Sequence, residues 1–163
     1  MKTITIISIV LFLTTSFLYS QETYKKSTSG IYIELLGNGY VWTGNYEFKV
    51  IQNTRMRFGL GYSTLPLVFV DPAKLLAFPV MLNYITGNGD HHFEFGSGFT
   101  GMILNILDDS NLNIDLSVVV GYRYQKPGKG IIFRAGLTPL LPVVYPDDRP
   151  VWLLPAFSFG LNL

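Results

Sequence analysis

Apolar and polar residues alternate with a period of two along most of this chain, and this alternation restricts it to β-strands. The clearest stretch is 114–125, where Ile, Leu, Val and Tyr interleave with Asp, Ser, Val, Gly, Arg and Gln. Successive side chains of a strand point to opposite faces, so the pattern predicts a strand with one apolar and one polar face. The same reading predicts eight strands: 30–36, 40–50, 55–63, 78–86, 92–102, 114–125, 131–138 and 152–163.

The connections between these segments differ in length in a regular way. Segments 51–54, 87–91 and 126–130 are short and rich in turn residues, whereas 64–77, 103–113 and 139–151 are long. The first connection, 37–39, is short where the pattern requires a long one. Short turns on one rim and long loops on the other are typical of membrane barrels. The sequence therefore predicts an all-β fold, an eight-stranded antiparallel up-and-down transmembrane β-barrel.

The polar face decides which side of the predicted barrel is inside. Only 14% of the residues are charged, against about 25% in soluble domains. A soluble lipocalin-like barrel would turn its apolar face inward around an apolar ligand, and this alternative requires a highly charged outside. The polar face instead mixes glycines with charges of both signs, as a narrow lumen would need. We predict a lumen charge network of Glu34, Glu47, Lys49, Arg55, Arg57, Glu94, Asp115, Arg123 and Arg134.

These lumenal charges are expected to form ion pairs, because an eight-stranded interior is only wide enough for side chains. The arginines 57, 123 and 134 suit bidentate contacts with Glu47, Glu94 and Asp115. On the apolar face, Tyr and Trp lie near the ends of several segments, as in the aromatic belts of membrane barrels. We therefore expect outer-membrane lipid to surround the barrel.

The N-terminal residues have the pattern of a targeting segment. Lys2 is followed by an uncharged, apolar stretch over 3–20, which ends on Ser20. This arrangement predicts a secretory signal peptide over 1–20 and a mature barrel domain over 21–163. A retained N-terminal anchor helix is the alternative.

In its architecture, the mature chain resembles the small eight-stranded outer-membrane barrels of the OmpX-like and OmpA-barrel group. The last seven residues, 157–163, resemble the C-terminal assembly signal of that group, carried here by Phe157, Phe159, Gly160, Leu161 and Leu163. That group usually ends in an aromatic residue, and Leu163 departs from this. The resemblance implies an outer-membrane location and the barrel-assembly machinery as a partner during biogenesis.

Three motifs suggest other chemistry. The segment 96–101 matches G-x-G-x-x-G, but no helix begins there, as a dinucleotide site requires. Asp90, His91, His92 and Glu94 could bind a metal or form an acid–base pair, but adjacent residues of a strand face opposite ways. The third motif is a set of acidic residues in three predicted loops, Asp71, Asp108, Asp109, Asp147 and Asp148. They could hold a divalent cation, but solvated loop tips are the preferred interpretation.

The expected function is a structural or surface-interaction role in the cell envelope, with the lumen plugged by ion pairs. A narrow pore for small solutes and a lipid-modifying enzyme are the alternatives that remain open. The chain has no cysteine and a net charge of +1, which argues against a thiolate metal site and against nucleic-acid binding. We expect a monomer with no cofactor and no enzymatic activity.

Overall fold

A computed structural model describes residues 29–67, 70–87, 89–106, 109–126, 128–144 and 150–163. The predicted signal peptide, 1–20, lies outside the described residues. In the part of the chain that the structure describes, no helix has the length and the apolar character needed to cross a bilayer.

Eight strands make up nearly all of the described chain. They are β1 (Ser29–Leu36), β2 (Trp42–Ile51), β3 (Thr54–Leu67), β4 (Val70–Thr86), β5 (His91–Ile106), β6 (Asp109–Gln125), β7 (Gly130–Pro142) and β8 (Trp152–Asn162). Each strand pairs antiparallel with the next, and β8 pairs antiparallel with β1, so the sheet closes on itself. The predicted fold class, an eight-stranded up-and-down barrel, is confirmed.

The two ends of the barrel differ in their connections. One end, called here the terminus end, holds the start of β1, the end of β8 and the tight turns β2–β3, β4–β5 and β6–β7. Gly89 and Gly128 have φ of 73° and 75° in two of these turns, a backbone conformation that glycine adopts without steric cost. The other end, called the loop end, carries the remaining four connections.

Two connections that the alternation predicts to be long loops are mostly strand. β3 and β4 stay paired as far as Leu67 and Val70, and β5 and β6 stay paired as far as Ile106 and Asp109. The predicted loops 64–77 and 103–113 are therefore corrected to hairpin extensions. Their period-two alternation fades, but ladder hydrogen bonds join main chains and do not require alternating side chains.

The barrel wall is apolar outside and polar inside. Phe58, Leu60, Phe99 and Phe159 project outward and keep 41%, 62%, 55% and 62% of their surface exposed. The interleaved residues, which include Glu47, Arg57 and Arg123, are fully buried in the lumen. The arrangement is therefore the reverse of the lipocalin-type alternative.

Candidate functional site: the barrel lumen

Seven charged side chains meet inside the barrel in alternating order. They come from six strands, because an inward residue on each strand lies at a similar depth in the lumen. We call them the ion-pair chain, which runs Arg55, Glu47, Arg123, Glu94, Arg134, Glu34, Arg57. Four arginines and three glutamates leave the chain with a formal charge of 4 − 3 = +1.

One part of the ion-pair chain centres on Glu47 of β2. Arg123 Nη1 donates to Glu47 Oε2 at 2.9 Å, and Arg123 Nη2 donates to the other carboxylate oxygen, which makes a bidentate pair. Arg55 Nη1 donates to Glu47 Oε1 at 3.0 Å. A charge-assisted bidentate contact fixes the geometry of both side chains as well as neutralising them.

The remaining part centres on Arg134 of β7. Its Nε and Nη2 donate to Glu94 at 2.7 and 2.9 Å, and its Nη1 lies 3.3 Å from Glu34 Oε2. Arg57 Nη1 donates to the same Glu34 oxygen at 2.8 Å. The two parts meet where Arg123 Nη1 lies 3.7 Å from Glu94 Oε2. Every carboxylate of the chain therefore contacts two guanidinium groups.

Neutral groups fill the space around the ion-pair chain. Asn83 donates to Glu94 at 2.6 Å, and the Arg134 guanidinium carbon lies 4.8 Å from the centre of the Tyr32 ring. Towards the terminus end, Gln125 accepts from Arg123 at 2.6 Å and donates to Asn162 at 2.8 Å. A void beside Glu34, Glu94 and Arg134 measures about 10 Å³, which is at the lower limit for one water molecule.

The β1–β2 connection folds into the lumen. Gly37–Gly39 forms one 3₁₀ turn whose three residues are buried, and it packs against β1, β2, β3, β4, β7 and β8. Leu36 and Tyr40 flank it with φ of 59° and 66°, values that are uncommon for residues with a side chain. We call residues 36–40 the β1–β2 plug. Sequence reasoning missed its role, although the shortness of 37–39 was the available signal.

Hydrogen bonds hold the plug to the ion-pair chain below and to the barrel wall. The Asn38 N–H donates to Glu34 Oε1 at 3.2 Å, and Thr100 Oγ1 donates to the Asn38 carbonyl at 3.0 Å. The Tyr40 hydroxyl donates to Asp115 Oδ2. The plug therefore contacts Glu34 of the ion-pair chain and lies in the loop-side part of the lumen.

Apolar side chains fill the lumen near Tyr40. Leu75, Ala77 and Met102 are buried there and pack together with Tyr40 and Leu104. Leu75 and Leu104 fall in segments that the sequence pattern assigns to loops, so sequence reasoning missed this apolar layer.

Of the nine predicted network residues, seven form the ion-pair chain, and two lie elsewhere. The prediction for Lys49 is wrong: it is exposed, although Arg55, its Cα partner on β3, is buried in the ion-pair chain. Asp115 is buried in the lumen, as the alternation placed it, but its carboxylate accepts from Tyr40 in the loop-side half.

The predicted C-terminal assembly signal lies on the seam that closes the barrel. Phe157, Phe159, Leu161 and Leu163 are outward-facing and exposed, with Gly160 between them. β8 pairs with β1 on one side and with β7 on the other. Recognition of this segment by the assembly machinery stays a prediction.

The two histidines point to opposite sides of β5, as adjacent strand residues must. His91 is exposed, and its Nδ1 lies 2.6 Å from the Tyr122 hydroxyl, whereas His92 is buried. No group of three or more potential metal ligands occurs among the residues that the structure describes. The G-x-G-x-x-G segment continues as strand β5, without the helix that a dinucleotide site needs.

A closed eight-stranded up-and-down barrel with an apolar exterior and a charged interior defines the class of this protein: its fold is that of the small outer-membrane barrels. Among solved structures, it is similar to the N-terminal β-barrel domain of Pseudomonas aeruginosa OprF, with a TM-score of 0.65 and 12% sequence identity over 85% of this chain and 98% of that one. Ail, the attachment invasion locus protein of Yersinia pestis, matches with a TM-score of 0.45 and 13% identity over 84% of this chain and 97% of that one. No family model and no curated protein sequence matches the chain.

Proposed function

We propose that this protein is an outer-membrane barrel with a structural or surface-interaction role and a lumen that does not conduct. The terminus end faces the periplasm, and the loop end faces the outside of the cell. The observation that carries the proposal is the doubly filled lumen, in which the ion-pair chain and the β1–β2 plug lie one above the other.

The exterior supports a membrane location. Large apolar side chains cover the wall between two sets of aromatic residues. Trp42 and Trp152 begin their strands at the loop end, and Tyr122 and Tyr124 lie near the terminus end of β6. Aromatic residues at both interfaces flank the lipid-facing band of membrane barrels. A soluble protein rarely exposes a continuous apolar surface of this size.

The interior supports a closed barrel. A water-filled pore needs a continuous polar path, but here the guanidinium groups and carboxylates touch one another across the lumen. The β1–β2 plug then covers the loop side of the chain.

The loop end supports a surface role. The β3–β4 and β5–β6 hairpins are longer than the strands of β1 and β2, with 14 to 17 residues each against 8 and 10. These four strands project beyond the rest of the wall and place their tips outside the lipid. A protein that only strengthens the envelope would not need this projection, so the hairpins favour a surface contact.

Fractionation tests the location. We expect the protein in the outer-membrane fraction with Gln21 as its first residue, as cleavage after Ser20 predicts. Recovery of a soluble periplasmic protein, or of a chain that retains 1–20, would contradict this part of the proposal.

Sidedness is tested by charged substitutions on the two faces. Phe58→Arg is expected to lower the free energy of unfolding in lipid vesicles by about 2–4 kcal/mol, because it places a charge at mid-depth in hydrocarbon. Ser97→Arg, also outward on β5, should behave similarly, whereas Lys49→Glu, at a solvent-exposed position with lumenal parity, should cost less. Reversible unfolding measurements give the ranking, and the opposite order would indicate an aqueous exterior.

Liposome swelling separates a plug from a pore. Vesicles that contain the protein should be as impermeable to small sugars and ions as vesicles without it. If the lumen were a pore, Glu94→Gln and Arg123→Gln would leave stability unchanged and would shift ion selectivity in opposite directions. In a plugged barrel, both variants lose stability instead.

A further inference from the structure

The β1–β2 plug begins and ends at residues with strained backbone angles. Leu36 has φ of 59° and ψ of −146°, and Tyr40 has φ of 66° and ψ of −56°. The Val41 N–H donates to the Gly39 carbonyl at 2.8 Å, so Tyr40 is the central residue of a γ-turn of the rare, strained type. Residues with side chains keep such angles only where their surroundings enforce them. The plug is therefore held in the lumen against the preference of its own backbone.

Asn38 adds a second cost to the inserted plug. Its side chain is fully buried, and neither the amide nitrogen nor the amide oxygen has a hydrogen-bond partner in the part of the chain that the structure describes. A buried polar group without a partner costs free energy that contact with water recovers. Moving the plug into solvent would therefore hydrate this amide as well as relieve the strained backbone.

Hydrogen bonds and one aromatic ring oppose these costs. The main chain of Asn38 bonds to Glu34 and Thr100, and the Tyr40 hydroxyl donates to Asp115. The Tyr40 ring packs against the apolar cluster at the loop end. Each hydrogen bond contributes about as much free energy as one strained residue costs. Inserted and withdrawn positions of the plug are therefore close in free energy, which is the condition for a segment to occupy both.

The barrel wall does not need to change when the plug moves. The last main-chain bond between β1 and β2 runs from the Leu36 N–H to the Val41 carbonyl at 2.8 Å, directly beside the plug. Only residues 37–40 lie beyond it, and two of them are glycines, which adopt the angles of a new turn at little steric cost. Rotation about the backbone of Leu36 and Tyr40 is therefore enough to carry 37–40 from the lumen to the loop-end rim.

We propose that the β1–β2 plug is a gate, which exchanges between its inserted position and a withdrawn position where 37–40 form an exposed turn. Withdrawal relieves the strain at Leu36 and Tyr40 and hydrates Asn38. It uncovers a recess on the loop side of the lumen, lined by Thr100, Asp115 and the apolar cluster that Tyr40 covers. The ion-pair chain stays in place, so the barrel remains closed. The gate goes beyond the proposed function, and a plug that never moves would leave that function intact.

The accessibility of a single thiol tests the gate. The chain has no cysteine of its own, and Asn38→Cys keeps both plug hydrogen bonds of residue 38, because these use its main chain. The full mature chain is placed in lipid nanodiscs, which leave both ends in water, and a charged maleimide is added. Mass spectrometry follows the modified fraction. If the plug opens and closes faster than the thiol reacts, the rate reports the withdrawn fraction. We expect about 0.1–10% of the rate at the exposed Lys49→Cys.

Two substitutions change the balance between the positions in opposite directions. Leu36→Gly removes strain from the inserted plug, so it should lower the labelling rate of Asn38→Cys about fivefold. Tyr40→Phe removes the hydrogen bond to Asp115 and should raise that rate about tenfold. A loosened barrel would label faster with both substitutions, so the opposite signs identify the gate.

Ile132→Cys is the matched control for opening of the whole barrel. Ile132 is a fully buried residue of β7, two residues closer to the terminus end than Arg134 of the ion-pair chain. It should react about tenfold more slowly than Asn38→Cys, or slower still, because local opening is more frequent than global opening. Equal rates at 38 and 132 would overturn the gate, and so would labelling that Leu36→Gly does not slow. Labelling of Asn38→Cys as fast as that of Lys49→Cys would also contradict it, because the plug would then not be inserted.

Discussion

The two halves of the lumen fill the same narrow space by different means. The terminus-side half is filled with the charged side chains of the ion-pair chain. Each glutamate carboxylate there contacts two arginines. The loop-side half is filled with the main chain of the β1–β2 plug and with apolar residues such as Leu75 and Met102. The first half depends on charge compensation, the second on a folded connection and on shape.

This difference sets the cost of breaking each half. Removing one member of a buried ion pair leaves its partner as a buried charge with neither a counter-charge nor water, which costs about 3–5 kcal/mol. Losing one of the plug's hydrogen bonds costs about 0.5–1.5 kcal/mol where the acceptor is neutral and about 1.5–3 kcal/mol where it is a carboxylate. We therefore expect stability to depend mainly on the terminus-side half, whereas the plug adds a second closure that contributes less to the free energy of unfolding.

The largest effect is expected from Arg123→Met, because it leaves Glu47 without its bidentate partner and removes the link to Glu94. The free energy of unfolding in vesicles should fall by about 3–5 kcal/mol. Urea titration followed by tryptophan fluorescence measures it.

Lys49→Met is the control for that experiment, since Lys49 is a base on the lumenal register but exposed to solvent. Its effect should stay within about 0.5 kcal/mol. Equal losses from both substitutions would show that burial in the ion-pair chain contributes nothing.

An intermediate effect is expected in the loop-side half from Tyr40→Phe. This change removes the hydroxyl that donates to the buried Asp115 carboxylate and keeps the ring that packs against the apolar cluster. Hydrogen bonds to charged groups contribute about 1.5–3 kcal/mol, so the unfolding free energy should fall by about 2 kcal/mol. Tyr62→Phe, on an outward-facing tyrosine, is the matched control. A loss as large as that of Arg123→Met would remove the distinction between the two halves.

The smallest effect, and the only stabilising one, is expected at Leu36. Its φ of 59° and ψ of −146° lie in a region that favours glycine and costs about 1–3 kcal/mol for other residues. Leu36→Gly relieves this strain, but glycine also gives the unfolded chain more conformational entropy, which offsets part of the gain. The free energy of unfolding should therefore rise by up to about 1 kcal/mol. Leu35→Gly, in ordinary extended strand, should lower it by a similar amount. Equal losses at both positions would argue against strain in the plug.

The alternation predicts the fold well, because a strand buried on one face fixes the direction of every side chain. For the same reason, it places Glu34, Glu47 and Arg134 in the lumen without knowledge of any partner strand. The individual ion pairs depend on the register between strands, which no residue pattern within one strand records. Lys49 shows what the alternation cannot predict: it has the lumenal parity and is paired with the buried Arg55, but it is exposed.

The plug is beyond sequence reasoning for a different reason. Gly37, Asn38 and Gly39 favour a turn, but whether a turn folds outward or into the barrel depends on the space that the other strands leave. Likewise, the hairpin extensions of β3 to β6 are held by main-chain pairing, which the side-chain pattern does not reveal.

Single-channel recording in planar bilayers tests the central claim, the closed lumen, most directly. The wild-type protein, after insertion is verified by protease protection, should show no current steps over the baseline. Variants that empty a single half, Arg123→Ala or a deletion of 37–39, should also stay closed, because the other half still blocks the path. The double variant should produce conducting events. A steady open conductance from the wild-type barrel would contradict the account.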